Sequence, residues 1–198
     1  DAAESGTQSV TITITENESA PTVVLTSSAS SIAENAGSSL TLTATLSVAT
    51  TADVTVGIST SGTGTEGTDY STISDITISA GSTTGTTSFT PTDDSIYEGD
   101  ETGIVAISSV SGGSATESGN QSVTITIDEN ETAPVVNLSI NNSSIAENSD
   151  GTITVTATLS FATIINTTVV LDTSGTATEG TDYGNISDIT ISAGDTTG

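Results

Sequence analysis

Positions 4–21, ESGTQSVTITITENESAP, return at 117–134 as ESGNQSVTITIDENETAP, an offset of 113 residues. The same offset, with no gap, carries SSIAEN from 30–35 to 143–148 and SGTGTEGTDY at 61–70 to SGTATEGTDY at 174–183. It also carries ISDITISAG from 73–81 to 186–194, and roughly two-thirds of all overlapping positions match. A period this long lies above the roughly 20–50 residues of solenoid repeats, so each unit is the size of a domain. Because the period is ungapped, the joint between units has a fixed length as well. Any fold for this chain must therefore fit about 113 residues and place its two ends where a copy can follow directly.

Within the period the pattern is that of strands. Val10, Ile12 and Ile14 alternate with Thr, as do Val123, Ile125 and Ile127; Leu40, Leu42, Ala44 and Leu46 alternate with Thr41, Thr43 and Thr45. One face is apolar and the other rich in hydroxyls, which is the signature of a half-buried strand. Between Pro21 and Pro134 the spacing predicts seven strands, at 22–28, 39–47, 54–60, 73–79, 86–91, 102–110 and 121–127. Gly/Ser clusters separate them, and no segment has a helical period. The expected fold is all-β: tandem immunoglobulin-like seven-strand β-sandwiches. On this reading residues 1–19 are the last strand of a preceding repeat, 20–132 a complete repeat, and 133–198 the N-terminal part of the next.

Charge sets the functional limits. The chain has 25 acidic residues and no Lys, Arg or His, for a formal charge of −25. Nothing in it can grip nucleic acid or an anionic membrane surface, and no run approaches the roughly 18 apolar residues of a membrane span. High charge with few aromatics also characterises disordered chains; here the acids are clustered and the remainder alternates.

The densest cluster is TDDSIYEGDET at 92–102, where Asp93, Asp94, Glu98, Asp100 and Glu101 crowd together with no basic side chain to pair them. Strands running alternately up and down bring to this same pole the loop with Glu34, the loop with Glu66 and Asp69, and the tail of Asp128, Glu129 and Glu131. Eleven of the fourteen acids in 20–132 gather there. Such a group must be protonated, spread into water, or neutralised from outside. An all-oxygen donor set favours a hard cation, and calcium, with its six to eight oxygens in loose geometry, fits better than magnesium or zinc. The spacing does not match an EF-hand, because Tyr97 falls where a ligand is needed. A solvated acidic loop is the plainer alternative. Asp69 and Asp182 read as turn caps, and Asp53, Asp75 and Glu117 as solvated surface.

The motifs GTGTEGTDY and GTATEGTDY, the run DDSIYEGDE and the ending TITIDEN closely resemble the Calx-beta domain, an immunoglobulin-like sandwich that occurs in exchangers, in an integrin and in tandem arrays of bacterial surface proteins. The resemblance implies Ca2+ as the cofactor. By position it implies ligands at Glu34, Asp93, Asp94, the Ile96 carbonyl, Glu98, Asp100, Glu101, Asp128, Glu129 and Asn130, with Glu16, Asn17 and Glu147 as their counterparts in neighbouring copies. The family's Asp after the third strand is replaced by Ser61, and the acidic run of the last strand is thinned in the first copy, which points to fewer or weaker sites.

Three classes of function are open to a chain of this kind. Catalysis is disfavoured, since a Ser nucleophile has no ordinary base without His, Cys or Lys, and paired carboxylates for glycoside cleavage lack aromatic platforms. A calcium sensor or adhesive module is the second class. The third, preferred because neighbouring copies are alike and evenly spaced, is a segment of a secreted, extracellular fibre or adhesin stalk at the cell surface. Its partners would be calcium ions and neighbouring repeats, with other copies in a filament, including a calcium-independent one, left open.

Overall fold

The computed structural model describes residues 1–3, 5–15 and 17–198 and is all-β. Among the described residues no helix is long and apolar enough to cross a membrane. The first sandwich is built from β1 (Thr22–Ser27), β2 (Ser31–Ala33), β3 (Leu40–Leu46), β4 (Val54–Gly62), β5 (Ile76–Ile78), β6 (Thr84–Phe89), β7 (Ile96–Tyr97), β8 (Glu101–Ser111), β9 (Thr116–Glu117) and β10 (Ser122–Asp128). All seven expected strands are present. The fourth is shorter than expected, and β2, β7 and β9 are short additions that alternation over two or three residues cannot signal.

One sheet has the order β6-β3-β1-β9 and the other β2-β10-β8-β4-β5. The chain changes sheets just after the first expected strand: β1 pairs antiparallel with β3, and after three residues β2 pairs parallel with β10. That crossing delivers the residue after β2, Glu34, to the end of β10, where its N–H donates to the Asp128 carbonyl at 3.0 Å. On the other side of β10, the antiparallel β8 places Glu101 opposite Ile127.

The alternating side chains fill the space between the sheets. Val23, Leu42, Ala44, Val54, Val56, Ile76, Ile78, Phe89, Val105 and Ile125 are fully buried, and the whole core of this unit comes from residues 23–127. Its two aromatic rings, Tyr70 and Phe89, stack with centroids 4.7 Å apart. Gly103 makes room for them, since a Cβ there would stand 2.6 Å from the Phe89 ring.

After Pro134 the pattern restarts with β11 (Val136–Ile140), β12 (Val155–Leu159), β13 (Ala162–Thr163), β14 (Thr167–Val169) and β15 (Ile189–Ile191). β11 pairs with β12 and β14 with β15, around a small core of Ala157, Leu159 and Ile191. Leu138 and Ile140 remain exposed, and so do Val10, Ile12 and Ile14 at the other end of the chain. The two units meet in a strand pair: β7 runs parallel to β13, with Ile96 opposite Ala162 and Tyr97 opposite Thr163.

Gly103→Ala is expected to destabilise the first sandwich by about 1–3 kcal/mol, the range for forcing extra volume into a packed core. Chemical denaturation of the purified variant measures it.

Candidate functional site

The acidic pole is held together mainly by main-chain N–H groups. Glu129, just past β10, is its centre: one carboxylate oxygen accepts from the N–H groups of Glu98 at 2.6 Å and Gly99 at 2.8 Å, and the other from Asn130 at 2.9 Å and Glu131 at 3.0 Å. The two adjacent donors converge because Gly99 has φ +80°, a left-handed conformation that suits glycine. The loop between β7 and β8 is thereby pinned to the tail of β10. Asp100 strengthens the same junction by accepting from the Glu129 N–H at 3.1 Å.

Glu34 reaches in from β2. It is only 8% exposed, and its Oε1 accepts from the Asp94 N–H at 3.2 Å. Asp94 turns its own carboxylate back onto the Ile96 N–H at 2.7 Å, an Asx turn that shapes the approach to β7. The loop between β4 and β5 supplies Asp69, whose carbonyl accepts from the Thr92 N–H at 2.9 Å and so ties the two loops together.

Two groups of carboxylates result. Glu34, Glu129 and Glu131 each bring one oxygen within 4.8 Å of the others, and so do Asp69, Glu98 and Glu101. Glu34, Asp69, Glu98, Glu101 and Glu129 line one cleft together with Gly99 and Ile127, with a volume of about 10 Å3. That is the scale of one water-sized sphere. It suits a bare ion and excludes an organic ligand.

The protonation equilibria register the crowding. Burial, with the neighbouring charges of Glu129 and Glu131 added, raises Glu34 to about 7 despite its bond from Asp94. Burial also raises Glu101 to about 7, helped by the charges of Asp69 and Glu98, and raises Glu98, helped by those of Asp69, Asp94 and Glu129. Glu129 moves the other way. Burial works against its charge, but the N–H groups of Glu131, Glu98 and Gly99 prevail and hold it at about 2. The adjacent Glu129 carboxylate raises Glu131, whose Oε1 accepts from Asn130 and whose buried Oε2 has no hydrogen-bond partner.

Of the residues expected from the sequence, Glu34, Glu98, Glu101 and Glu129 converge. Asp94 and Asp100 point their carboxylates at loop N–H groups, and Asp93 is exposed. Asp128 contributes the carbonyl that anchors Glu34. The exposed Asn130 donates its amide to Glu131 at 3.0 Å, and the Ile96 main chain lies in β7. Glu147 is exposed and belongs to neither group. Asn17 is exposed, with its amide beside the Glu18 carboxylate; Glu16 lies outside the described residues.

Two members were not expected as ligands. Asp69 does cap the Thr65 N–H, as the turn reading had it, but through Oδ2 alone, and it still joins Glu98 and Glu101. Its position at the acidic pole was the available signal, and it supplies a carboxylate from the loop that follows β4, the strand in which Ser61 stands where the family has Asp. Glu131 likewise lay in the counted acidic tail. Of the residues read as solvated surface, Asp53 and Asp75 are exposed and also accept from the Ala80 and Ile58 N–H groups, while the half-buried Glu117 accepts from Gln121. Glu66 bonds Thr60 and the Ile73 N–H, as Glu179 bonds Thr173 and Ile186 one period later.

Comparison with known proteins adds a family. The family model for the Calx-beta domain matches residues 16–131 and 128–191. No curated protein matches. Among solved structures, the apo-form Calx CBD1 domain is 17% identical with a TM-score of 0.47, over 56% of this chain and 99% of that one. The calcium binding domain CBD12 of CALX1.1 is 17% identical with a TM-score of 0.47, over 88% and 72%. The CsuC–CsuE chaperone–tip adhesion subunit complex of Acinetobacter baumannii pili is 9% identical with a TM-score of 0.38, over 89% and 88%.

The raised carboxylates predict an inverted pH dependence for the metal-free chain. Glu34 and Glu101 have ordinary values of 4.5 and stand near 7 when folded, so between these limits the folded state holds more protons than the unfolded state. Stability then falls as pH rises through this window. Glu129, held at about 2, stays ionised in both states above pH 5 and does not oppose the trend. In chelator the unfolding midpoint is expected to be lower at pH 8 than at pH 5 by roughly 4–8 °C per kcal/mol lost, measured by scanning calorimetry.

Proposed function

The chain belongs to the Calx-beta domain family, and from that premise we propose that it is a calcium-binding segment of a secreted fibre or adhesin stalk at the cell surface. Its 113-residue units, of which 20–132 is the complete one, stand in line and are stiffened by Ca2+ at the joints. The observation that carries this reading is that the acidic cluster and the joint share one loop. β7, which pairs with β13 of the next unit, lies between Asp94 and Glu98. Glu129 and Glu131 stand at the start of the connection to β11.

The donor set fits a hard cation. It consists of carboxylate oxygens only, it includes a buried oxygen of Glu131 without a partner, and no basic side chain exists to balance it. Glu34, Glu129 and Glu131 would hold one ion and Asp69, Glu98 and Glu101 another. Bound calcium supplies positive charge that removes the mutual repulsion of these groups. The protein's own contribution is to set the oxygens in place beforehand through the N–H groups of Asp94, Glu98, Gly99 and Glu131. Loss of that charge would free the loop that carries β7 and with it the strand pair between units.

The test is thermal unfolding and small-angle scattering of the 198-residue chain at pH 8, in calcium and in chelator. At about 100 times the dissociation constant a single site adds about 2.7 kcal/mol, so the midpoint is expected to rise on the order of 10 °C, with an elongated shape that becomes flexible on chelation. Identical midpoints and scattering in both conditions would overturn the reading.

The double variant Glu34→Gln, Glu101→Gln should respond with opposite signs. Relief of repulsion raises its midpoint above that of the parent in chelator, whereas in calcium it falls below the parent. Calorimetry in the two buffers separates this from a merely structural role, which would shift both in the same direction.

A further inference from the structure

The joint between the two units has a counterpart at the other end of the first sandwich. By the 113-residue offset, Ala162 and Thr163, which receive β7, correspond to Ala49 and Thr50. The two edges have the same local conformation. Thr163 Oγ1 donates to the Ile165 carbonyl at 2.6 Å, and Thr50 Oγ1 donates to the Ala52 carbonyl at 2.6 Å. The Thr163 carbonyl accepts from Gly194 at 2.8 Å, and the Thr50 carbonyl from Gly81 at 2.8 Å. They differ in cover. Ala162 is half-buried under β7, whereas Ala49 is exposed, and Val48 is 50% exposed against 37% for its counterpart Phe161; Thr50 and Thr163 are equally buried, so the difference lies at the residues before them.

Beside this edge lies a recess of about 440 Å3, walled by Pro21, Val48, Ala49, Thr50, Gly113 and Ser114 among others. A second feature points to the same missing neighbour. Val10, Ile12 and Ile14 are 83–92% exposed, yet their counterparts one period later are the strand β10, in which Ile125 and Ile127 are buried in the core and Val123 packs against it. Apolar side chains that alternate like a closing strand are exposed in the segment that leads into Glu18–Pro21, which line the recess.

We propose that the Ala49–Thr50 edge is the seat of a preceding copy of this repeat, whose Ile-Tyr loop, the equivalent of Ile96–Tyr97, pairs with it as β7 pairs with β13. Residues 10–14 are then the last strand of that copy. Units join head to tail through one repeated parallel strand pair, and each carries a donor loop at its acidic pole and a receiving edge at the opposite pole. The inference rests on the tandem reading but makes no use of the metal. Its contacts are main-chain pairing and apolar cover, so the receiving edge needs no charge.

The chain contains no cysteine, so disulfide trapping reports only on introduced pairs. Strand neighbours about 4.7–4.9 Å apart fall within the usual Cα separation of a disulfide. In the 198-residue chain, Ile96→Cys with Ala162→Cys serves as the reference pair. The test chain places a further copy of residues 20–132, a unit whose core is its own, directly before residue 20. It carries Cys at the Ile96 position of the added copy and Ala49→Cys in the original. The expected result, in calcium, is a monomer with an intrachain link in a yield comparable to the reference, read as a shift in non-reducing electrophoretic mobility. A reference pair that links while the test pair does not would overturn the proposal. Links formed only between separate chains would overturn the in-line arrangement in favour of lateral association, and a reference pair that fails to link would remove the joint from which the proposal is drawn. Unfolding midpoints of the same samples in calcium and chelator keep a failure of calcium binding distinct from a failure of the seat.

Discussion

Mutual repulsion among carboxylates at one pole of the sandwich is the constraint to which the rest of the structure answers. Two like charges about 5 Å apart repel by about 3 kcal/mol at an effective dielectric of about 20, and this pole gathers six acidic side chains into two close groups. The fold concentrates them there because strands of alternating direction send their connecting loops to the same end. The loops stay in place because individual N–H groups are directed at particular oxygens, most of all at Glu129. Glu129 is held toward the ionised form, while Glu34, Glu98 and Glu101 around it are driven toward the protonated form.

The same loop also carries the strand pair between the units. Between the Asx turn of Asp94 and the pinned N–H groups of Glu98 and Gly99 there is room for only a two-residue strand, and β7 occupies it. A charge balance that orders the loop therefore also orders the strand pair with β13. Two residues of pairing would be a weak junction by themselves. The pair is tied to a cluster that several loops share, and under the proposed function that tie would stiffen the joint.

Much of this was legible in advance, and the limits have physical causes. Runs such as LTLTATL, six or seven residues of strict alternation, announced β3 and β10 because each apolar position must face the core. The strands β2, β7 and β9 are formed by neighbours distant in sequence and leave no periodic trace. β7 depends on residues 66 positions away. At the site, the gathering of acids at one pole followed from strand direction alone, but the division of labour within it did not. Asp94 and Asp100 stand in the densest run of acids yet turn to the backbone, whereas Asp69, which has a turn to cap, still joins Glu98 and Glu101.

By itself the sequence determined the all-β class, the 113-residue period and the location of the charge, because alternation, repetition and composition act through local chemistry that any fold of this chain must satisfy. Only the tertiary structure decided that β2 leaves its sheet to bring Glu34 against β10, that Glu129 is the carboxylate the backbone keeps charged, and that the acidic loop extends one edge to the next unit. Each of these depends on where main-chain N–H groups point once distant strands are packed, and no residue carries that direction in its identity.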